Sequence, residues 1–389
     1  MKKNAFKLCV LLCSILIFEG CRHHEPKAVI SYFPPAYDSL HFYTDPDTIN
    51  LKLAPGTTTS ISNSNYFTNK GNGYISFYDR PTKALSIFTF PAGQLVTVLP
   101  LRKWLTAVNL DKSSVYVQNF DTILICTHNN IMLLDSTSLV KKNIEVPDLP
   151  VRVPKVDNET PPVWKKDTLF VNITPSVDET SLSAIRSWRL LFGFNLSNND
   201  QKVYYQLPEL YGEDIYGYSF LNYGYCRNNK GSLVFSFAAD TNVYETDLRA
   251  YNKGYFAKSQ YQREPIQPVS REAIANSKSF QEYSLRDSYG AIFFDPVHNR
   301  YFRMAKQKMD QNALRAKDRV RVRTILMLDQ DLKVIAEGSF PENCDFNSIF
   351  FAPDGSMYAR YLSQTDLRIR FLKIRYDPNP RHTSIAYQH

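Results

Sequence analysis

Short apolar runs recur along this chain in pairs, and a polar turn joins the members of each pair. Residues 73–79 are followed by residues 84–90, and residues 121–126 by residues 130–135. The runs are rich in β-branched and aromatic residues and are bounded by Asp, Asn or Gly, which is typical of antiparallel strands joined by tight turns. The same pattern predicts further strand pairs at 167–172 with 188–196, 231–237 with 242–247, 289–295 with 299–304, 323–329 with 334–338, and 348–351 with 356–361 and 367–376.

The predicted strand pairs form a loose repeat. Successive units are roughly 45 to 60 residues apart, a period that suits one four-stranded propeller blade with its loops. In several units one strand of the pair ends in Asp, as at Asp79, Asp135, Asp247 and Asp329. We therefore predict an all-β chain folded as a β-propeller of six or seven four-stranded blades. A pair of β-sandwiches uses the same kind of strands and is the alternative architecture.

Helical patterns are scarce. Long amphipathic stretches are absent, and only residues 270–280 have a helical pattern. Ser270 precedes that stretch, and a serine side chain at this position accepts a hydrogen bond from a free N–H of the first turn. We predict one short helix there.

The N-terminus differs from the rest of the chain. Three lysines precede an apolar stretch at residues 8–18, and Gly20 stands directly before Cys21. The stretch is shorter than the about 20 apolar residues that a membrane-spanning helix needs, so the pattern indicates a removable signal peptide. We predict a signal peptide at 1–20, a proline-containing tether at 21–45 and the propeller domain at 46–389.

The sequence Phe18-Glu19-Gly20-Cys21 resembles the lipobox of bacterial lipoproteins. The resemblance implies that Cys21 becomes the first residue of the mature protein and carries the lipid anchor. Phe18 and Glu19 depart from the usual residues, and an ordinary secretory signal is the alternative. The residues after Cys21 are Arg-His-His-Glu rather than an acidic run. We therefore expect an outer-membrane lipoprotein that faces the periplasm.

Charge narrows the choice of partners. The chain has a net charge of +8, and loss of the signal peptide, with three lysines and one glutamate, lowers it to +6. The basic residues are spread along the chain, and export makes nucleic acid an unsuitable partner. We expect contact with the membrane through the lipid on Cys21, and an envelope protein or an anionic glycan as the partner.

One hairpin resembles a known family. Residues 289–303, Tyr-Gly-Ala-Ile-Phe-Phe-Asp-Pro-Val-His-Asn-Arg-Tyr-Phe-Arg, are similar to the strand–turn–strand signature of a Bacteroidetes lipoprotein family, domain of unknown function 4221. Members of that family are similar to six-bladed, TolB-like propellers. The resemblance implies the fold and the lipid anchor, but it implies no activity and no catalytic residues.

Motifs that carry chemistry are missing from the sequence. We find no nucleophile elbow, P-loop, dinucleotide fingerprint or metal-binding histidine pair, and we predict no cofactor, no metal and no catalytic residue. Asp329 and Asp331 lack the remainder of a calcium loop and are more typical of a hairpin turn. Outside the signal and anchor the cysteines are Cys126, Cys226 and Cys344, whose wide spacing favours buried free thiols.

Two groups of residues are candidates for ligand contact. The first is a glycine-interrupted tyrosine cluster, whose rings could stack on sugars or peptide side chains or fill the space between blades. Its members are Tyr211, Tyr216, Tyr218, Tyr223 and Tyr225. The second is basic and alternates with valine, so a strand would place its guanidinium groups on one face, either to bind an anion or to protect a solvated edge. Its members are Arg319, Arg321 and Arg323.

Three functions remain open from the sequence. The first is a non-catalytic, lipid-anchored propeller that binds a protein or glycan partner through loops at one face. The second is a propeller hydrolase or lyase that acts on carbohydrate, which requires acidic residues with raised pKa values to converge at the channel. The third is a structural envelope lipoprotein with an exposed apolar patch. We favour the first.

Overall fold

A computed structural model describes residues 26–59, 61–105, 113–147, 152–175, 177–315, 321–362 and 368–377. Within these residues the strands form six small sheets, each with an antiparallel up-and-down core. The first strands of neighbouring sheets contact one another around a common centre. The architecture is therefore a six-bladed β-propeller. This confirms the predicted fold, sets the blade number at six and excludes the sandwich pair.

The N-terminal part of the described chain supplies three strands to the blades. They are β1 (Val29–Ser31), β2 (Asp38–Ser39) and β3 (His41–Leu51). Because they pair with strands much later in the chain, this segment runs along the outer edges of three blades.

Blades 1 and 2 are plain four-stranded meanders. Blade 1 contains β4 (Ile61–Asn69), β5 (Asn72–Asp79), β6 (Ala84–Phe90) and β7 (Leu95–Pro100). Blade 2 contains β8 (Ser114–Asn119), β9 (Thr122–Cys126), β10 (Asn130–Leu134) and β11 (Val140–Glu145). In both blades the central strands are buried on both faces, which accounts for their almost continuous apolar sequence.

Blades 3 and 4 keep this plan with additions. Blade 3 contains β12 (Arg152–Lys155), β13 (Val163–Lys165), β14 (Thr168–Pro175), β15 (Arg189–Asn195) and β16 (Gln201–Gln206). Its innermost strand is interrupted, because β12 and β13 both pair with β14. Blade 4 contains β17 (Tyr223–Arg227), β18 (Leu233–Phe237), β19 (Asn242–Thr246) and β20 (Asn252–Phe256), and β1 is added in parallel to the outer edge of β20.

Blades 5 and 6 complete the ring. Blade 5 contains β21 (Ser288–Asp295), β22 (Arg300–Lys306), β23 (Arg323–Leu328) and β24 (Val334–Ser339), with β2 in parallel on its outer edge. Blade 6 contains β25 (Cys344–Phe351), β26 (Met357–Tyr361) and β27 (Ile369–Asp377). Its fourth strand is β3, paired from His41 opposite Asp377 to Leu51 opposite Ile369. N-terminal and C-terminal strands thus close one blade.

This arrangement differs from the expected tether at 21–45. Residues 26–45 lie along the sheets, where β1, β2 and the start of β3 form edge strands of blades 4, 5 and 6. Parallel edge pairing uses backbone N–H and C=O groups and does not require an apolar alternation. Val29 and Ile30 are in fact exposed. The sequence pattern consequently did not indicate these strands.

The helices of the described chain are short and lie within or between blades 3, 4 and 5. They are α1 (Leu182–Ser187), α2 (Leu210–Glu213), α3 (Arg271–Ala275), α4 (Ser279–Ser284) and α5 (Gln311–Arg315), with a 3₁₀ turn at Tyr218–Leu221. Each lies either between a second and a third strand of a blade or between two blades. In an up-and-down blade these connections are all at the same end of the strands, so the helices share one face of the propeller, here called the helical face.

The helix predicted at 270–280 is divided in two. Ser270 caps α3 as expected, because its Oγ accepts a hydrogen bond from Ala273 N at 3.1 Å. The chain then leaves the helical conformation at Ser277, whose φ is 56°. A left-handed residue of this kind ends a helix, and α4 starts only two residues later.

Three of the four recurrent aspartates share a structural role. Asp135, Asp247 and Asp329 follow the third strands of blades 2, 4 and 5, and the Oδ1 atom of each accepts backbone N–H groups from the turn. Such a side chain fixes a tight turn by replacing missing backbone partners. The prediction of a hairpin turn at Asp329 and Asp331 is confirmed.

A buried arginine links blades 4 and 5. Arg303 is 0% exposed, and its guanidinium group donates hydrogen bonds to Ser236 Oγ and to four backbone carbonyls of blade 4 and its exit. Those carbonyls belong to Phe237, Asp240, Thr241 and Ala257. The guanidinium also lies 3.7 Å from the ring centroid of Tyr289. Every acceptor is neutral, so this cation is held by hydrogen bonds and ring stacking rather than by a carboxylate.

Candidate functional site

A cavity of about 270 Å³ opens on the helical face, where blades 3, 4 and 5 meet. Its walls combine aromatic rings with charged groups. Its lining includes Lys155, Glu159, Trp188, Tyr218, Tyr283 and Lys306. Its volume is near the lower end of ligand pockets, which run from about 300 to 1,000 Å³. It therefore suits one sugar ring or a group of similar size.

The interruption in blade 3 forms one wall. Between β12 and β13, residues 156–162 leave the sheet, and we call this segment the inner loop. Its end is Pro161-Pro162, and proline has no N–H to donate to a strand ladder. The loop is fixed from both sides, since Val156 N donates to Ser114 Oγ at 2.9 Å and Tyr225 N donates to Glu159 O at 2.8 Å.

Glycine at position 224 makes this close approach possible. A Cβ atom there would lie 3.0 Å from Ala291 Cα and 3.2 Å from Glu159 O. Backbone atoms cannot give way as a flexible side chain can, so a larger residue would push the inner loop from its place. The Gly224 of the tyrosine cluster thus serves to dock the loop that carries Glu159.

The inner loop carries two carboxylates in different states. Lys155 Nζ lies 2.6 Å from Asp157 Oδ2, while Asp157 Oδ1 accepts hydrogen bonds from Thr160 N and Thr160 Oγ1 at 2.7 and 2.8 Å. Burial alone would raise the pKa of Asp157, but the ammonium of Lys155 and the hydrogen bonds from Thr160 lower it below its ordinary value. Asp157 is therefore an ionised carboxylate whose charge Lys155 neutralises.

Glu159 has the opposite tendency. No residue that the structure describes forms a hydrogen bond to its carboxyl group. Burial, followed by the nearby carboxylate of Asp157, raises the pKa of Glu159 to about 7. At neutral pH this side chain exchanges between a neutral and a charged form, which makes it a proton donor or acceptor in the pocket.

Lys306 lies on the opposite wall beside Tyr283. Its Nζ atom is 3.4 Å from the Tyr283 hydroxyl, and it forms no ion pair with any part of the chain that is described. Burial would raise the pKa of Tyr283, but Lys306 and the guanidinium of Arg321 outweigh it, so that pKa is below its ordinary value. Gly290 leaves room for the ammonium, since a Cβ there would lie 3.3 Å from Lys306 Nζ.

Trp188 adds a neutral donor. It is 4% exposed and follows α1, and its indole Nε1–H is buried without a hydrogen-bond partner among the described residues. A buried donor of this kind costs free energy unless another molecule accepts from it. Trp188 also belongs to the lining of the cavity.

Three of the five predicted tyrosines are structural. Tyr211, Tyr216 and Tyr225 are 1%, 7% and 0% exposed and belong to the apolar core of blades 3 to 5. Tyr211 OH donates to Phe220 O at 3.0 Å and accepts from Ala239 N at 2.9 Å, while Tyr225 OH donates to Pro161 O at 2.9 Å. These three rings therefore fill the core and do not line the cavity.

The other two tyrosines line the cavity. Tyr223 is half-buried and donates to Asn172 Oδ1 and, at 2.9 Å, to Leu190 O. Its hydroxyl is already engaged within the protein. Tyr218 is 51% exposed, and its backbone N–H donates to the carboxylate of Glu179. Tyr218 is the member of the cluster that offers a free ring face to a ligand.

The basic candidates separate in a similar way. Arg319 lies outside the described residues. Arg321 is half-buried, with Nε donating to Gln307 O at 2.7 Å and its guanidinium 4.9 Å from the ring centroid of Tyr283. Arg323 is exposed at the start of β23, opposite Lys306 in the sheet register. Arg321 thus contacts the pocket through Tyr283. Because Arg319 lies outside the described residues, the row of three guanidinium groups on one strand face stays a prediction.

Two other predictions concern cysteines. Cys126, Cys226 and Cys344 are buried free thiols, as predicted, and burial raises the pKa of Cys126 to about 12. Cys21, the predicted lipidation site, lies outside the described residues, as do the signal peptide and residues 21–25 of the tether. The described residues contain no helix long and apolar enough to span a membrane.

The charged residues of the pocket were not among the predicted site residues. Lys155, Glu159 and Lys306 are separated by up to 151 positions and belong to no motif. The available signal was Asp157-Asn-Glu-Thr-Pro-Pro162, where two prolines stop a strand next to two carboxylates. In the described chain, no group of three or more His, Cys, Asp or Glu side chains is arranged to hold a metal ion.

Together these features define a six-bladed β-propeller with a small aromatic and charged pocket on one face. Residues 158–339 match the family described as "Domain of unknown function (DUF4221)", which confirms the resemblance seen at residues 289–303. The matched segment starts in the inner loop and ends with blade 5, so it contains most of the residues that build the pocket.

Solved structures share this fold. A DUF4221 family member from Bacteroides vulgatus is 16% identical, with a TM-score of 0.72, and the alignment covers 87% of this chain and 99% of that one. A Bacteroides fragilis protein that is thought to be exported is 11% identical, with a TM-score of 0.53 and coverage of 90% and 100%. At these identities the likeness establishes the fold alone. No curated protein matches the chain in sequence.

Proposed function

We propose that this protein is a lipid-anchored cell-envelope β-propeller that binds a glycan through the pocket on its helical face. The observation that carries the proposal is the composition of that pocket, which the exposed Tyr218 shares with Trp188, Tyr283 and several hydrogen-bonding and charged side chains. Flat aromatic faces with polar neighbours are suited to sugar rings, which have apolar faces and hydroxyl-rich edges.

The envelope location rests on the N-terminus. The signal-like segment at 1–20 and Cys21 support export and lipidation, and a protein of similar fold in Bacteroides fragilis is thought to be exported. Metabolic labelling with an alkyne fatty acid should mark the wild-type protein in the outer-membrane fraction and leave Cys21→Ala unlabelled. Equal labelling of both proteins would exclude Cys21 as the anchor.

A glycan array with the mature chain, residues 21–389, tests the binding proposal. Tyr218→Ala should reduce binding of any glycan that the wild type retains by at least tenfold in a titration. Tyr261→Ala is the matched control, since Tyr261 is 47% exposed but lines a different cavity of the same face. If no glycan is retained, or if both variants bind as well as the wild type, the pocket is not a glycan site.

A second candidate function is a carbohydrate-active lyase or hydrolase. The observation that favours it is the pairing of Glu159, whose pKa is raised to about 7, with Tyr283, whose pKa is lowered, in one cavity. A neutral carboxylic acid and a more acidic phenol are suited to donate and accept protons at neutral pH. Product formation from a retained glycan, lost in Glu159→Gln with binding intact, would establish this function.

A further inference from the structure

The charged groups that line the pocket indicate whether it binds a neutral or a charged glycan. Lys155 and Asp157 form an ion pair at 2.6 Å and neutralise each other. Of the remaining charged groups, the Lys306 ammonium forms no ion pair with the described chain, and the raised pKa of Glu159, about 7, reduces the negative charge opposite it. An empty pocket therefore has a positive excess centred on the Lys306 ammonium.

The donors of Lys306 are largely unused. An ammonium group has three N–H donors, and in the described structure Lys306 Nζ makes one long contact, of 3.4 Å, with the Tyr283 hydroxyl. Gly290 permits the ammonium to lie against the backbone at the cavity wall. A half-buried ammonium without an anionic partner is stabilised when a bound anion replaces lost water.

The second unsatisfied donor points to the same chemistry. The buried Nε1–H of Trp188 lacks a partner in the described structure, and the residue lines the same cavity. An ammonium and an indole N–H are both donors, so a ligand with acceptor oxygens suits a pocket lined by these two residues. The volume of about 270 Å³ holds one sugar residue, and the ring of Tyr218 supplies a face on which to stack it.

We infer that the ligand of this pocket is an acidic sugar residue, a carboxylate-bearing monosaccharide or a chain end of that type, whose carboxylate binds Lys306 while its ring contacts Tyr218. The inference rests on the proposed glycan-binding function and narrows it. Arg321 helps to hold Tyr283 in place and does not line the cavity.

Isothermal titration with single sugars tests the inference. The acidic probes are glucuronic, galacturonic, mannuronic and N-acetylneuraminic acid, and the controls are glucose and galactose, which lack the carboxylate, and succinate, which lacks the ring. We expect at least one acidic sugar to bind at least tenfold more tightly than any control. Equal binding of glucose or galactose, or of succinate, would overturn the inference.

Matched variants locate the binding charge. Lys306→Met keeps the length of the side chain and removes its charge, and we expect at least a tenfold loss of affinity for the acidic sugar. Lys308→Met removes the same charge two residues away, from an exposed position that lines another cavity, and should bind normally. Equal affinities of Lys306→Met and wild type would contradict the inference.

The outcome also separates the two proposals. If neutral glycans from the array bind and depend on Tyr218 while no acidic sugar binds, the glycan-binding function stands and the acidic-sugar inference fails. If acidic sugars bind, and their affinity falls in Lys306→Met but not in Tyr218→Ala, the carboxylate site at Lys306 stands and the proposed stacking of the sugar ring on Tyr218 fails. If nothing binds, both fail.

Discussion

Blades 1 and 2 and blades 3 to 5 share one four-stranded plan but connect their strands differently. In blades 1 and 2 the described connections are short turns, and the innermost strands are uninterrupted. Blades 3 to 5 contain all the helices of the described chain, the inner loop and the pocket. The comparison teaches that the sheets form the rigid scaffold, whereas the insertions on the helical face supply many of the side chains that line the candidate site.

The inner strands show the same contrast at the level of hydrogen bonds. In blades 1 and 2, Asn65 Nδ2 donates to Val117 O at 2.8 Å and its Oδ1 accepts from Val117 N at 3.1 Å, which ties one inner strand to the next. In blade 3 the corresponding strand is broken, and the inner loop takes its place with two carboxylates, one of them ion-paired with Lys155 at the end of β12. The family match at 158–339 covers this second region rather than the first.

The largest expected effect concerns the arginine that joins blades 4 and 5. Arg303→Met should lower the free energy of unfolding by at least about 3 kcal/mol, because several buried carbonyls and Ser236 Oγ lose their donor. Urea unfolding would measure the change. Arg300→Met, on the same strand but only half-buried, is the control and should cost about 1 kcal/mol or less. Equal losses would mean that Arg303 is not the link between these blades.

A smaller loss of stability is expected for a substitution between blades 1 and 2. Asn65→Ala should lower the free energy of unfolding by about 2 kcal/mol, since Val117 N–H and C=O are left without their partners near the axis. Thr68→Ala on the same strand is exposed and should change stability by less than about 0.5 kcal/mol. Glycan binding should persist in Asn65→Ala, because the pocket belongs to blades 3 to 5. A loss of binding by the folded Asn65→Ala variant would contradict the division of roles between these blades.

The tyrosine cluster offers a finer test, because its members divide between frame and pocket. Tyr211→Phe should cost about 1 to 2 kcal/mol of unfolding free energy, since its buried hydroxyl both donates to Phe220 O and accepts from Ala239 N. Tyr218→Phe should leave stability unchanged within about 0.5 kcal/mol, because that ring is 51% exposed. A larger loss of unfolding free energy in Tyr218→Phe than in Tyr211→Phe would mean that Tyr218 has a structural role and would contradict its assignment to ligand contact.

The frame could be predicted from the sequence, whereas the pocket could not. Strand pairs such as 73–79 with 84–90 are local, and their alternation of apolar runs and turns directly reflects burial. The role of Asp329 in a tight turn could also be predicted from the local sequence pattern. By contrast, Lys155 and Lys306 come together only because blades 3 and 5 flank blade 4, and no local pattern records that geometry.

The N-terminal strands show a second limit. β1 and β2 pair in parallel through their backbones at exposed edges, so their side chains carry no alternation to detect. In the tyrosine cluster, the spacing of Tyr and Gly was visible, but burial separated Tyr218 from Tyr211 and Tyr225. Gly224 was noted as a permissive residue, and only the three-dimensional packing assigns it to the inner loop.

The smallest expected effect is a pH dependence of acidic-sugar binding. Burial and the Asp157 carboxylate raise the pKa of Glu159 to about 7, from 4.5, with Asp345 acting in the same direction and Lys155 and Lys306 opposing it. Below this pKa Glu159 is neutral, and above it the side chain carries a charge that repels the ligand carboxylate, which is ionised throughout. Affinity should therefore fall as pH rises from about 6 to about 8, by about fivefold, or roughly 1 kcal/mol. In Glu159→Gln the affinity should stay constant over that range, because glutamine does not ionise. A wild-type affinity that is flat with pH, or an equal fall in Glu159→Gln, would show that Glu159 does not face the bound sugar.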